Sequence, residues 1–224
     1  MQIADNILRA QLKNVYFING TAYAGKSTMC KLLAERFDML LCGENYGHDR
    51  MLTMVDGETQ PNLNYFHTMG SFKDFVTRTP DEYAAWIKGT SREVSDFEVT
   101  ELIRLSGMYP DKKIIVDTNL SADLLHRLSD YRRVAIMLSP QSMSVERFFD
   151  RSDPEKQMML SVLDSLPDPD SAHANWRECL KRVNSREIYD NWENAGFFTL
   201  IREDDGRDTR EEVLAKLAEH FALI

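Results

Sequence analysis

The chain reads as an α/β protein built on a parallel sheet covered by helices. Three observations lead there. Four short apolar runs, Val15 to Asn19, Ile114 to Asp117, Val134 to Leu138 and Phe197 to Ile201, are nearly continuous and rich in β-branched or aromatic residues. Strands covered on both faces have that composition. Helical patterns lie between these runs, and strands alternating with helices imply parallel pairing through right-handed crossovers. Finally, 224 residues with 43% apolar content suit one α/β domain better than two independent ones.

The elements can be justified in order. The first strand, Val15 to Asn19, is followed by a helical stretch from Lys26 to Phe37. A further strand is read at Met39 to Cys42. A long helix begins at Thr79, because Thr79-Pro80-Asp81-Glu82 supplies a capping hydroxyl, a proline at the first helical position and a capping carboxylate. Its apolar face runs through Tyr83, Ile87, Val94, Phe97 and Leu102 to Leu105, and Gly107 can end it. The strands at Ile114 and Val134 follow. Asp153-Pro154 opens another helix, and Ser171 to Asn194 reads as one long helix stopped by Gly196. Between these two, the proline-aspartate run from Asp164 to Ser171 must be a loop. After the strand ending at Ile201, Thr209-Arg210-Glu211-Glu212 forms a second capping box, ahead of Val213, Leu214, Leu217 and Phe221 on one face.

Composition narrows the function. The net charge is −9, which argues against a nucleic-acid groove, since that needs a basic face. No apolar run reaches membrane length, and Met1 to Asn14 lacks the apolar core of a secretion signal. Cys30, Cys42 and Cys179 cannot all pair, and no two have metal-ligand spacing, so they read as reduced cysteines of a cytoplasmic protein.

Directly after the first strand comes Gly20-Thr21-Ala22-Tyr23-Ala24-Gly25-Lys26-Ser27-Thr28, which matches G, four residues, G-K-[ST]. The spacing has a chemical reason. Gly20 and Gly25 permit backbone angles closed to other residues, so the intervening N–H groups can turn inward around phosphate oxygens. The next helix adds its positive N-terminal end. Lys26 can reach terminal phosphates, and the Ser27 hydroxyl can ligate Mg²⁺. In this setting the segment resembles the P-loop kinase superfamily, in particular nucleoside and nucleotide kinases and their small-molecule relatives. Many of these place a third glycine where this chain has Tyr23.

That resemblance implies a P-loop NTPase fold: three layers, α/β/α, a five-stranded parallel sheet ordered 2-3-1-4-5, and a helical lid, here near residues 144–172 of a single 1–224 domain. It implies ATP and Mg²⁺ as cofactors. Asp117, at the end of the third strand, matches the family's acidic residue beside the metal; on its own it could equally cap the turn before Ser121. In Gly43-Glu44-Asn45-Tyr46-Gly47-His48-Asp49-Arg50 the resemblance implies a carboxylate that takes the acceptor's proton, with Glu44 first, Asp49 second, and His48 as another base or an acceptor ligand. Tyr46, Tyr65, Phe66, Phe72 and Phe75 either stack on a ring or form a hydrophobic cluster. Arg147 and Arg151 are four apart, hence on one helix face, and resemble lid arginines that stabilise charge on a phosphoryl group in transit. Lys156, and the pair Arg182 and Arg186, stand as further cations. The loop after Ile201 is expected near the adenine.

The catalytic set expected from sequence is thus Lys26, Glu44, Asp117, Arg147 and Arg151, with Ser27 and Asp117 on the metal. The expected activity is transfer of the γ-phosphate of ATP to a small-molecule acceptor, a nucleoside or a nucleotide. A nucleoside would need a base such as Glu44; a nucleotide would need arginines, for which Arg78 and Arg92 stand ready. A kinase of a non-nucleoside metabolite, or a regulatory ATPase without such an acceptor, are the alternatives. No nucleic-acid or membrane partner is expected, and a homodimer is left open.

Overall fold

A computed structural model describes residues 3–150 and 153–224. Its centre is a five-stranded, all-parallel sheet in the order β2-β3-β1-β4-β5, formed by β1 (Val15–Gly20), β2 (Leu40–Cys42), β3 (Ile114–Asp117), β4 (Val134–Leu138) and β5 (Phe198–Ile201). The three inner strands have the burial expected of strands covered on both faces. The two edge strands differ. β2 and β5 are only partly buried, because each has a neighbour on one side alone.

Helices close both faces. On one, α1 (Asp5–Gln11), α6 (Pro80–Met108), α7 (Ala122–Leu128) and α11 (Arg186–Glu193) cover Val15, Phe17, Ile114, Val116 and Ile136. On the other, α2 (Lys26–Phe37) and α12 (Arg210–His220) cover Ile18, Ile115, Ala135 and Met137. A separate cluster forms at one end of α6. There α5 (Phe72–Val76), α8 (Gln141–Glu146), α9 (Pro154–Asp164) and α10 (Pro169–Val183) gather around Phe75, Tyr83 and Trp176. The polar, aromatic stretch after β2 folds into α3 (His48–Leu52) and α4 (Pro61–Thr68).

The caps show which local signals held. Thr79 and Glu82 make the reciprocal capping box expected at the start of α6. Thr209 makes no capping bond; Asp208 instead accepts from the Arg210 backbone N–H and guanidinium. The stretch from Ser171 to Asn194 is not one helix. The Asn184 side chain bonds back to the Leu180 carbonyl, and Ser185 then caps α11 by accepting from the Ile188 N–H. Polar side chains that satisfy helix ends favour such a break. Arg147 also leaves its expected helix, since α8 ends at Glu146. Phe148 and Phe149 both pack on the Trp176 cluster. Neighbouring residues on a helix point about 100° apart, so a turn is what lets both rings face inward. Arg151 lies outside the described residues.

α4 is tied to α6 by one buried carboxylate. Glu93 accepts from the backbone N–H groups of Asn62 and Leu63, each at 2.9 Å, and from the Asn62 amide at 2.5 Å. These backbone donors open α4 and have no partner within the helix. Trp86 adds a bond from Nε1 to the Asn62 carbonyl at 3.0 Å. Glu93→Ala leaves the buried donors unpaired and should cost roughly 3 kcal/mol. Urea denaturation measures this; a loss well below about 1 kcal/mol would show that the tie is dispensable.

Candidate functional site

The carboxyl ends of β1, β3 and β4 converge on the glycine loop, where ligands of open α/β sheets bind. The loop is shaped by close backbone approach. At Gly20, with φ of +127°, a Cβ would stand 1.9 Å from the Met137 carbonyl oxygen, so no side chain fits. The strap continues through the Thr21 N–H to the Met137 carbonyl at 3.0 Å, and through the Ser139 N–H to Thr21 Oγ1 at 2.7 Å. Ser139 Oγ donates to the Ala22 carbonyl at 2.6 Å. Asn19 braces the loop's base, accepting from the Gly20 N–H and donating to the Leu120 carbonyl, both at 2.7 Å.

Tyr23 occupies the position expected of a third glycine, and it takes a positive φ of 65°. Its hydroxyl donates to the Phe148 carbonyl at 2.8 Å, and the Lys156 ammonium lies 5.2 Å from its ring. Its carbonyl accepts from Arg202 at 2.9 Å. Tyr23 therefore joins the loop to the turn after α8 and to the end of β5.

Gly25, at φ +93°, caps α2, which brings its positive end to the loop together with Ala24 and Thr28. Lys26 folds over the loop, donating to the Thr21 carbonyl at 3.0 Å and the Gly20 carbonyl at 3.5 Å. Ser27 Oγ donates to Asp117 Oδ2 at 2.6 Å. Asp117 is 4% exposed and does not cap the following helix; Ser121 does, accepting from the Leu124 N–H. A hydroxyl and a carboxylate held together beside a lysine and a glycine loop form a hard-oxygen donor set suited to Mg²⁺ and a polyphosphate.

Two recesses flank the loop. One, of about 320 Å³, is lined by Gly25, Thr28, Met137, Arg202, Thr209 and Val213, so the loop after β5 reaches it. The other, of about 540 Å³, lies between α6, the segment after β2 and the end of β3. Glu44, Asn45, Tyr46 and His48 line it with Asp117 and Asn119, so the sequence cluster gathers here. Asp49 is exposed and does not line it. The aromatic residues divide between two roles: Tyr46 and Phe66 face this cavity, whereas Phe75, with Tyr65 and Phe72 against it, belongs to the Trp176 cluster.

The cations disperse. Arg147 is ion-paired with Asp204 at 2.5 Å. Arg182 pairs with Asp81, and Arg186 with Asp190 at 2.7 Å; the break between their helices separates them. Arg78 stacks on Tyr65, 3.9 Å from its ring centre, in a different recess, and Arg92 is exposed on α6.

One residue of the cavity was missed in the sequence. Glu98 is 5% exposed, lines the cavity, and accepts from Thr118 Oγ1 at 2.5 Å. Burial pushes its carboxyl up to about 7, against the Thr118 bond that lowers it, and nearby Asp117 raises it further. Its signal was available: Val94, Glu98 and Leu102 are spaced at four, which sets a carboxylate in the apolar stripe of α6.

Glu98 makes stability depend on pH. Its carboxyl rises from 4.5 to about 7 on folding, so within that window the folded state keeps a proton that the unfolded chain releases. Stability from this group is complete below about pH 4.5 and falls as pH rises toward 7, by on the order of 3 kcal/mol. Glu98→Gln lacks that slope. Urea unfolding at pH 5 and pH 7.5 should show the variant gaining on wild type at the higher pH; parallel behaviour would refute the assignment.

No protein-family model matches the chain, and no curated protein matches it.

Proposed function

We propose that the protein is an ATP-dependent kinase that phosphorylates a small molecule held in the 540 Å³ cavity. The observation that carries this reading is the Ser27–Asp117 bond at 2.6 Å, which sets a hydroxyl and a carboxylate side by side between the glycine loop and that cavity. ATP supplies the phosphoryl group, and Mg²⁺ the positive charge that offsets its oxygens. Gly20 to Thr28 would hold the phosphates through backbone N–H groups, and Lys26 would swing from the loop carbonyls to the terminal phosphates. Ser27 and Asp117 would hold the metal.

On the acceptor side, Glu44 takes the hydroxyl proton in this reading, with Glu98, deeper in the same cavity, as a second carboxylate able to do so. The 144–172 segment acts as the lid, touching the loop through Tyr23 and Phe148, and Arg147 would exchange Asp204 for the transferring group. Arg151 is assigned the same role by its spacing alone. The acceptor cavity favours this reading over a regulatory ATPase, which has no use for one beside the loop.

Lys26→Ala should lower acceptor-dependent ADP release at least about 100-fold while thermal unfolding stays within a few degrees of wild type. Full activity in that variant would end the kinase reading. Glu44→Gln should lose about 100-fold in kcat with nucleotide affinity unchanged. If Glu98→Gln loses that much and Glu44→Gln does not, the base is Glu98.

A further inference from the structure

In the kinase reading the transferring phosphoryl group lies between the glycine loop and the acceptor cavity, and the first turn of α9 stands at both. Glu155 lines the cavity together with Asp117. The next residue, Lys156, is turned to the loop. Its ammonium lies 3.5 Å from the Tyr23 hydroxyl, 5.2 Å from the Tyr23 ring centre and 4.8 Å from that of Phe148. The backbone of this turn is fixed, because Asp153 Oδ1 accepts from the Glu155 N–H at 3.0 Å and the Lys156 N–H at 3.2 Å. Arg147 is drawn the other way. Its partner Asp204 follows β5, which lies on the opposite side of β1 from β3 and the cavity.

Tyr23 is the odd member of the loop. At its φ of 65° a glycine would be relaxed, whereas a tyrosine is strained. Strain kept at one position of the glycine loop points to a use for the side chain found there. That side chain meets the 144–172 segment twice. Its hydroxyl gives its one proton to the Phe148 carbonyl at 2.8 Å, so it faces Lys156 with its lone pairs. Both the ring and the hydroxyl are uncharged. They orient the ammonium without neutralising it, and a polyphosphate would draw it from them, since charge-assisted hydrogen bonds are the stronger kind.

Resting on the kinase reading, we propose that Lys156 is a catalytic cation that binds the γ-phosphate, and that Tyr23 is the residue that positions it. Lys156 leaves the Tyr23 hydroxyl and donates to the γ-phosphoryl oxygens, keeping all its protons. The acceptor oxygen bonds to the γ-phosphorus as the bond from that phosphorus to the β–γ bridging oxygen breaks. The hydroxyl proton passes to a cavity carboxylate, and ADP leaves with the bridging oxygen. Lys26 and Lys156 thus act on one phosphoryl group from two elements, α2 and α9.

Calorimetry with Mg-ADP and with the magnesium complex of the β,γ-imido analogue of ATP isolates the γ-phosphate and needs no acceptor. The quotient of the two affinities cancels any general loss of loop structure. Lys156→Ala should lower affinity for the imido analogue about tenfold and leave ADP within about twofold, and Lys156→Arg should restore most of the difference. Tyr23→Gly should lower the analogue-to-ADP quotient about fivefold, although glycine relaxes the backbone there. With wild type binding both nucleotides, an unchanged quotient in Lys156→Ala, or an equal loss in Lys156→Arg, overturns the role of Lys156 and leaves the kinase reading intact. A wild-type quotient in Tyr23→Gly assigns Tyr23 to packing alone and overturns its positioning role. Wild type that binds neither nucleotide ends the kinase reading, and the proposal with it.

Discussion

At Gly20 the chain leaves β1 with its Cα pressed against the Met137 carbonyl, a distance that admits no Cβ. That approach lets the Thr21 N–H pair with Met137 and the Thr21 hydroxyl with the backbone of Ser139. The loop is thereby fastened to β4 before it turns into α2. Lys26 and Ser27 then emerge at the start of that helix, where the sheet's strand ends meet. Asp117 arrives from β3 on the other side of β1, and parallel pairing of Ile18 with Asp117 sets its height. The Ser27–Asp117 bond is the product of these two registers.

Around this centre the two recesses are built differently. The smaller one is made by α2, the end of β4 and the segment after β5, all adjoining the sheet. The larger one depends on short helices after β2, which carry little core of their own. The place of α4 is held by Glu93 and Trp86 on α6, so one long helix shapes much of this cavity. That helix also supplies Glu98 to the cavity and Tyr83 to the Trp176 cluster. Tyr23 then connects the loop to the turn after α8 through its hydroxyl.

Most of the sheet was legible in the sequence because buried parallel strands need continuous apolar runs, and Val15, Ile114 and Val134 begin such runs. The start of α6 was legible because Thr79 and Glu82 satisfy each other within one turn. The glycine loop was legible because its constraint is local: positive φ and close backbone approach at fixed positions. Other local signals misled where a neighbour competed. Asp208 displaced Thr209 as the partner of the α12 start, and Ser185 broke a helix whose apolar pattern ran on.

What the sequence alone determined was therefore the α/β class, the strand positions and the loop with its lysine and hydroxyl, since each depends on residues close in the chain. The tertiary structure decided the rest. It put Asp117 on Ser27 across 90 residues, sent Arg147 to Asp204, and brought Glu44 and Glu98 into one cavity from segments far apart. Charge balance in a cavity is a property of everything that faces it, and no spacing within one segment can encode that.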